Sequence, residues 1–236
     1  MNGSIGRRGL LAGMGLLFLG ACSKVAETKA GSSLLNAAED WHRKAHRSLA
    51  DRNALAREFS KEDISPFFRG NGSQTIETAA YKAATKNNFA DWRLGVRGLV
   101  DTPLSLSMDD IRALPQRTQI TRHDCVEGWS CIAKWTGVPL ALVLDQAKVQ
   151  PEARFVVFEC FDTMETGFTG PIRYYESIDL RDARHPQTIL AYGLNGQALP
   201  VANGAPLRVR IERPLGYKMA KYIRSITLAS DIAAFG

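Results

Sequence analysis

Residues 122–140 read RHDCVEGWSCIAKWTGVPL, and the role given to Cys125 within them decides how the rest of the chain is read. Metal ligation and nucleophilic chemistry both use the thiolate, which neighbouring cations or a metal stabilise, and Arg122 and His123 stand in that position. Structural zinc is a poor match, because it takes a full set of sulfur and nitrogen ligands at recognisable spacings and the chain has no CxxC pair. Outside the N-terminal leader the cysteines are Cys125, Cys131 and Cys160, an odd set that leaves at least one thiol unpaired in an oxidising compartment. On spacing alone a short-loop Cys125–Cys131 disulfide is the simpler reading. Cys160, inside an apolar run, reads as a small buried hydrophobe.

Working outward, short runs rich in Val, Ile, Phe and Thr predict strands at WRLGVRGL (92–99), TQITRHD (118–124), ARFVVFECF (153–161), TILAYGL (188–194) and LRVRIE (207–212). Helical pieces fall between them. In SMDDIRAL (107–114), Ser107 can cap and Asp109 and Asp110 suit the first turn, and VPLALVLDQA (138–147) is opened by Pro139. The mixture predicts an α+β domain, and the lack of any fixed-period repeat argues against a solenoid or propeller. At 236 residues, with 45% hydrophobic and 23% charged, the chain can bury a core without staples, and its composition names no function.

The N-terminus has a different character. Arg7 and Arg8 precede an uncharged run from Gly9 to Ala21 that is rich in Gly, Leu and Ala, the pattern of an export signal similar to the twin-arginine type, whose route carries proteins already folded. The run is shorter than the roughly 20 residues a membrane-spanning helix needs. Leu19, Gly20, Ala21 and Cys22 look like a lipobox, so a lipid anchor through Cys22 competes with simple cleavage and release into the periplasm. From Leu34 to about Glu58 the spacing predicts an amphipathic helix, and Pro66, Gly70, Asn71 and Gly72 break it. The expected organisation is a leader at 1–22, a helical extension and loop at 23–75, and a catalytic domain at 76–236.

Three blocks carry a family resemblance. DCVEGWSCIAKWTGVPL (124–140), LAYGLNGQALPVANGAPLRV (190–209) and PLGYKMAKYIRSI (214–226) occur in the order found in the sulfite oxidase superfamily of molybdopterin enzymes, and they resemble its methionine sulfoxide reductase branch. A shorter run, KNNFADW (86–92), resembles that branch's NNF element. Together the resemblance spans about Ala79 to Leu228, and the Gly-, Asn- and Arg-rich run that follows the cysteine in sulfite oxidases proper is missing.

The resemblance implies an α+β molybdopterin-binding domain of sulfite-oxidase type, with Cys125 as the protein's own sulfur ligand to a molybdenum–molybdopterin cofactor. It assigns cofactor contacts to Asn87, Ala90, Asp91, Cys125, Asn203, Arg208, Met219, Ala220 and Lys221. Cys160 falls where the branch has a threonine near the pterin. Glu127, two residues from the metal ligand, is a candidate to orient substrate or move protons. The implied enzyme is an exported oxidoreductase performing two-electron oxygen-atom transfer, such as sulfoxide reduction, fed by a separate periplasmic or membrane electron-transfer partner. A sulfite-dehydrogenase-like enzyme and a cofactor-free lipoprotein binding module are the alternatives. The cations Arg208, Arg210, Arg213, Lys218, Lys221 and Arg224 suit a phosphate, whereas aromatic platforms and a reading helix for nucleic acid are absent.

Overall fold

A computed structural model of the chain describes residues 28–49, 51, 53–167, 170–233 and 235. The proposed leader, its arginine pair and Cys22 lie outside the described residues. By internal contacts the chain divides into Met1–Ala54 and Leu55–Gly236. In the first unit a helix, α1, runs Lys29–Leu49 and leaves Leu34, Leu35 and Trp41 exposed. It ends well before Glu58, where the sequence pattern carried it. Asp51 accepts from the backbone N–H of Asn53 through its side chain and from that of Ala54 through its carbonyl, a local turn that competes with helical bonding. Among the described residues no helix is long and apolar enough to cross a membrane.

The second unit is a mixed structure built on two sheets. The first sheet has the order β2-β1-β10-β5-β6, where β1 is Leu94–Gly98, β2 Leu104–Leu106, β5 Phe155–Gly167, β6 Gly170–Asp179 and β10 Ile223–Ala229. Its one parallel contact joins β1 to β10, with Gly95 opposite Ser225, and β10 runs antiparallel to β5 with Ile226 opposite Phe158. The second sheet has the order β3-β4-β7-β8, with β9 on β7: β3 is Arg117–Asp124, β4 Ser130–Pro139, β7 Ile189–Leu194, β8 Gln197–Ala198 and β9 Arg208–Arg210. Helices α2 (Ala79–Lys86), α3 (Met108–Ala113), α4 (Leu140–Ala147) and α5 (Leu180–Ala183) complete it. The α+β expectation is met. Ser107 caps α3 by accepting from the N–H of Asp110, while Asp110 reaches back to the N–H of Ser107. Pro139 opens α4, as expected.

The five predicted strands are all present, and β2, β4, β6, β8 and β10 join them among the described residues. In β4 the inward positions Cys131, Ala133 and Trp135 are buried while their neighbours are only partly covered, the period-two signature of a strand with one face on a core. The main core joins Leu94, Val96, Val156, Phe158, Ile223 and Ile226 of the first sheet to Leu140, Val143 and Leu144 of α4. The second sheet is different: the buried row of β3 is Gln119, Thr121 and His123, and that of β9 includes Arg208 and Arg210. Buried polar groups need partners, and this row is what surrounds the functional site.

The segment from Leu55 to Thr75 is built into the second unit. The N–H of Phe59 donates to the carbonyl of Ile120, and that of Ser65 to the carbonyl of Ile132, so the segment lies along β3 and β4.

Candidate active site

Strands β3 and β4 form a hairpin with His123 opposite Cys131 and Asp124 opposite Ser130, and Cys125 opens its turn. The N–H of Cys125 donates to the carbonyl of Trp129, and that of Gly128 to the carbonyl of Cys125. Gly128 adopts φ +83°, a conformation costly for side chains with a Cβ, so the glycine permits the turn that presents Cys125. Cys125, Cys131 and Cys160 are all free thiols, and the Cys125–Cys131 disulfide is not formed.

Cys125 lines a cavity of about 280 Å³ shared with Glu127, Asp162, Tyr174, Met219 and Lys221. One wall is the strap Asn71–Ser73. The Lys221 ammonium donates to the carbonyls of Asn71, Ser73 and Ala202, the Tyr222 hydroxyl donates to the carbonyl of Ser73, and the N–H of Gly72 donates to Glu127. Burial, helped by Arg208, brings the Lys221 pKa down to about 8. Glu127 stays on the exposed rim, where Trp129 Nε1 also donates to it at 2.8 Å, and these bonds hold its carboxyl below the usual range.

Behind the hairpin lies a buried cationic network. Arg210 and Glu212 pair at 2.6 Å with both side chains fully buried, and Gln119 Nε2 donates to the same carboxylate at 2.7 Å. Arg210 Nη1 lies 2.8 Å from His123 Nδ1. An arginine can only donate, so Nδ1 accepts and the imidazole proton sits on Nε2. Burial first, then the charges of Arg210, Arg208 and Lys221, push the His123 pKa down to about 2, so this ring is neutral. The guanidinium carbons of Arg208 and Arg210 stand 5.0 and 4.5 Å from the centre of the Trp135 ring, and Phe68 meets Trp135 edge-on at 5.0 Å. Arg208 and Arg210 are therefore interior groups, not part of a solvated basic face.

The sequence-predicted residues separate into three groups. Cys125, Glu127, Met219, Ala220 and Lys221 line the one cavity. Asn203 and Arg208 adjoin it: Arg208 donates to the carbonyls of Asn203 and Met219, and Gly204 separates Arg208 from Lys221. At φ +112°, Gly204 leaves so little room that an added Cβ would come within 3.0 Å of Lys221 Cβ and 3.3 Å of Arg208 Cβ, so glycine lets both cations close on one backbone segment.

Asn87, Ala90 and Asp91 are not brought to this cavity. They are exposed just beyond α2, with Asn87 donating to Asp91, and Ala90 lines a separate hollow of about 230 Å³. The place beside Cys125 and Lys221 is taken by Asn71–Ser73. Cys160 is fully buried opposite Ile223 and does not line the cavity, and burial pushes its thiol pKa up. The sequence reading missed Asn71–Ser73, Asp162 and Tyr174. The Gly- and Asn-rich composition of 70–73 marked only a loop, and Asp162 follows an apolar strand that gave it no distinguishing pattern.

The sequence model of the oxidoreductase molybdopterin-binding domain matches residues 81–233, which hold the Cys125 hairpin, Asn203, Arg208 and the Met219–Lys221 segment. The chain belongs to this family. It is therefore a molybdopterin-type oxidoreductase, and its sequence resemblance to the sulfite oxidase superfamily stands. A chain of Azospira oryzae, provisionally named protein-methionine-sulfoxide reductase subunit YedZ1, is 35% identical over 226 residues, covering 92% of this chain and 77% of that one. The protein-methionine-sulfoxide reductase catalytic subunits MsrP of Ralstonia nicotianae and Campylobacter jejuni are 38% and 34% identical, over 64% and 66% of this chain. The chain spans about half the length of those MsrP relatives, 47% and 55%. Among solved structures, the sulfane dehydrogenase SoxCD of Paracoccus pantotrophus shares the fold, with TM-score 0.52 and 22% identity over 60% of this chain and 39% of that one.

The residues present suit the cofactor that the family implies. Asn203 Nδ2 and Arg208 Nε are buried donors without a hydrogen-bond partner among the described residues. Unpaired buried donors are costly, and an acceptor-rich, phosphate-bearing group would satisfy them.

Proposed function

We propose that this chain is an exported molybdenum–molybdopterin reductase of sulfoxides, with protein-bound or free methionine sulfoxide as the substrate class. Cys125 supplies the protein's sulfur ligand to the metal, Asn203, Arg208 and Met219–Lys221 hold the pterin and its phosphate, and Glu127 ties the rim to the strap. The observation that carries this reading is the meeting of the free Cys125 thiol with Lys221 and Met219 in one cavity, backed by the unpaired donors of Asn203 and Arg208. The relatives' names supply the substrate class.

When bound, the cofactor supplies two-electron redox chemistry at oxygen. The chain's own part is to bind and orient: Lys221 and Arg208 place positive charge toward a phosphate, and Phe68, edge-on to both the neutral His123 ring and Trp135, packs behind the Cys125 hairpin. Electrons come from a separate periplasmic or membrane partner. The leader pattern at 1–22 supports export to the periplasm, with a lipid anchor through Cys22 where the lipobox is processed. The catalytic domain extends to Gly236 and takes in the strap before residue 76.

Elemental analysis of protein from a cofactor-competent host, followed by a panel of sulfoxides, N-oxides and sulfite, tests this reading. Molybdenum in about equal amount to chain, with reduction of sulfoxides, is expected. A metal-free chain, or one that only oxidises sulfite, refutes it.

A further inference from the structure

Reducing a sulfoxide to a thioether breaks the S–O bond and forms two O–H bonds, so each turnover consumes two electrons and two protons and releases one water. Resting on the reductase reading above, the question is which side chain brings the first proton to the departing oxygen.

Of the five other ionisable groups that line the cavity, Tyr217 is half exposed and so is not shielded from water, and four are otherwise committed. Cys125 is assigned to the metal. Glu127 is exposed, and its bonds to Trp129 and Gly72 favour the ionised form, which has no proton to give. The Lys221 ammonium donates to the carbonyls of Asn71, Ser73 and Ala202, which occupies all its protons. Tyr174 donates its hydroxyl proton to the carbonyl of Tyr217 at 3.0 Å, and burial first, then the charges of Glu176 and others, raises its pKa.

Asp162 remains. It lines the same cavity, it is buried to 9% exposure, and its Oδ1 has no hydrogen-bond partner among the described residues. An ionised carboxylate placed there would keep one oxygen desolvated and unpaired, which is costly, whereas the neutral acid is not penalised to the same extent. The groups facing it are Lys221, Ser73, the phenols of Tyr81, Tyr174 and Tyr222, and the Cys160 thiol. Burial outweighs the bond from its own backbone N–H and the pull of Lys221 and Ser73 toward the ionised form, so the Asp162 pKa is raised. The neighbouring phenols do not compete as acids: Tyr81 and Tyr222 donate to the carbonyls of Ala205 and Ser73, and both have raised pKa values.

The geometry points to Asp162 as the catalytic acid of this site, a buried carboxyl that lines the Cys125 cavity, carries one oxygen unpaired among the described residues, and gives its proton to the sulfoxide oxygen as the S–O bond breaks. The second proton of the water formed comes from solvent, and Asp162 regains its own proton through the cavity mouth. The two electrons would be supplied by the cofactor when bound, with a low-potential dye such as a viologen as the reductant in an assay.

Two measurements test this. In the cofactor-free protein, infrared spectroscopy at pH 7 should show the carbonyl band of a protonated carboxyl that is lost in Asp162→Asn; a spectrum without that difference would overturn the assignment. In the loaded protein, Asp162→Asn should keep its molybdenum content while kcat falls about 100-fold or more, the usual contribution of a general acid. Asp162→Glu should recover part of the rate, and the alkaline limb of the wild-type kcat profile should disappear in the Asn variant. Retained kcat, or loss of molybdenum in place of kcat, would overturn the proposal. A loaded wild-type chain that reduces no sulfoxide would overturn the reductase reading and this proposal together, whereas an active wild type with an unaffected Asp162→Asn variant would overturn only the proposal.

Discussion

Replacing Glu212 by Gln removes one charge from the interior and little volume, and the structure allows its cost to be worked through. The carboxylate accepts from Arg210 Nη2 at 2.6 Å, from Arg210 Nε at 3.1 Å and from Gln119 Nε2 at 2.7 Å, with neither member of the ion pair exposed. The amide leaves the Arg210 guanidinium charged and uncompensated beside His123 Nδ1 and Met219, and turns an N–H toward donors that have lost an acceptor. Breaking a buried pair in this way costs about 3–5 kcal/mol. For a unit of this size that is a fall in Tm of about 6–20 °C, at roughly 2–4 °C per kcal/mol. Thermal unfolding followed by circular dichroism, on wild type and variant in the same cofactor state, reads it directly. The double variant Arg210→Met with Glu212→Leu should regain most of the loss, because no charge is then left buried. A Glu212→Gln variant destabilised by less than about 1 kcal/mol would refute the view that this pair is desolvated and holds the wall of the site.

Two further outcomes follow from the same network. An unfolded histidine takes up a proton near pH 6.5 but folded His123 does so only near pH 2, so stability is complete above about 6.5 and falls by about 1.4 kcal/mol per pH unit below it; His123→Gln should flatten that acid limb in denaturant titrations, and an unchanged limb would contradict the neutral-ring assignment. Gly216 presses on the same ring, since an added Cβ would come within 2.3 Å of His123 Cε1 and 3.3 Å of the Asp124 carbonyl. Gly216→Ala should therefore cost about 1–3 kcal/mol by overpacking, measured by chemical denaturation, and a neutral substitution would show that the contact relaxes freely.

Local patterns carried much of this fold. The strand runs at 118–124, 153–161 and 188–194 declared themselves because alternating or clustered β-branched and aromatic residues fit a pleated, half-buried surface. Ser107 and Pro139 marked helix starts through backbone chemistry that acts within one turn. What local reading missed depends on contacts distant in sequence. Lys221 reaches Asn71 across 150 positions, and nothing near Asn71 announces that partner. The KNNFADW run shows another limit of a short motif: it names Asn87 and Asp91, but only the folded chain shows that the turn after α2 pairs them with each other on the surface, apart from the Cys125 cavity. Cys125 was legible through the blocks around it, while the carboxyl that completes its cavity, Asp162, needed the folded arrangement to be seen.

The central claim, that Cys125 binds the metal, is tested most directly by X-ray absorption at the molybdenum edge on loaded wild type and Cys125→Ser. The ligand assignment predicts that the variant keeps a folded chain, loses one sulfur neighbour of the metal and falls to background activity. An unchanged sulfur shell with full activity would contradict it.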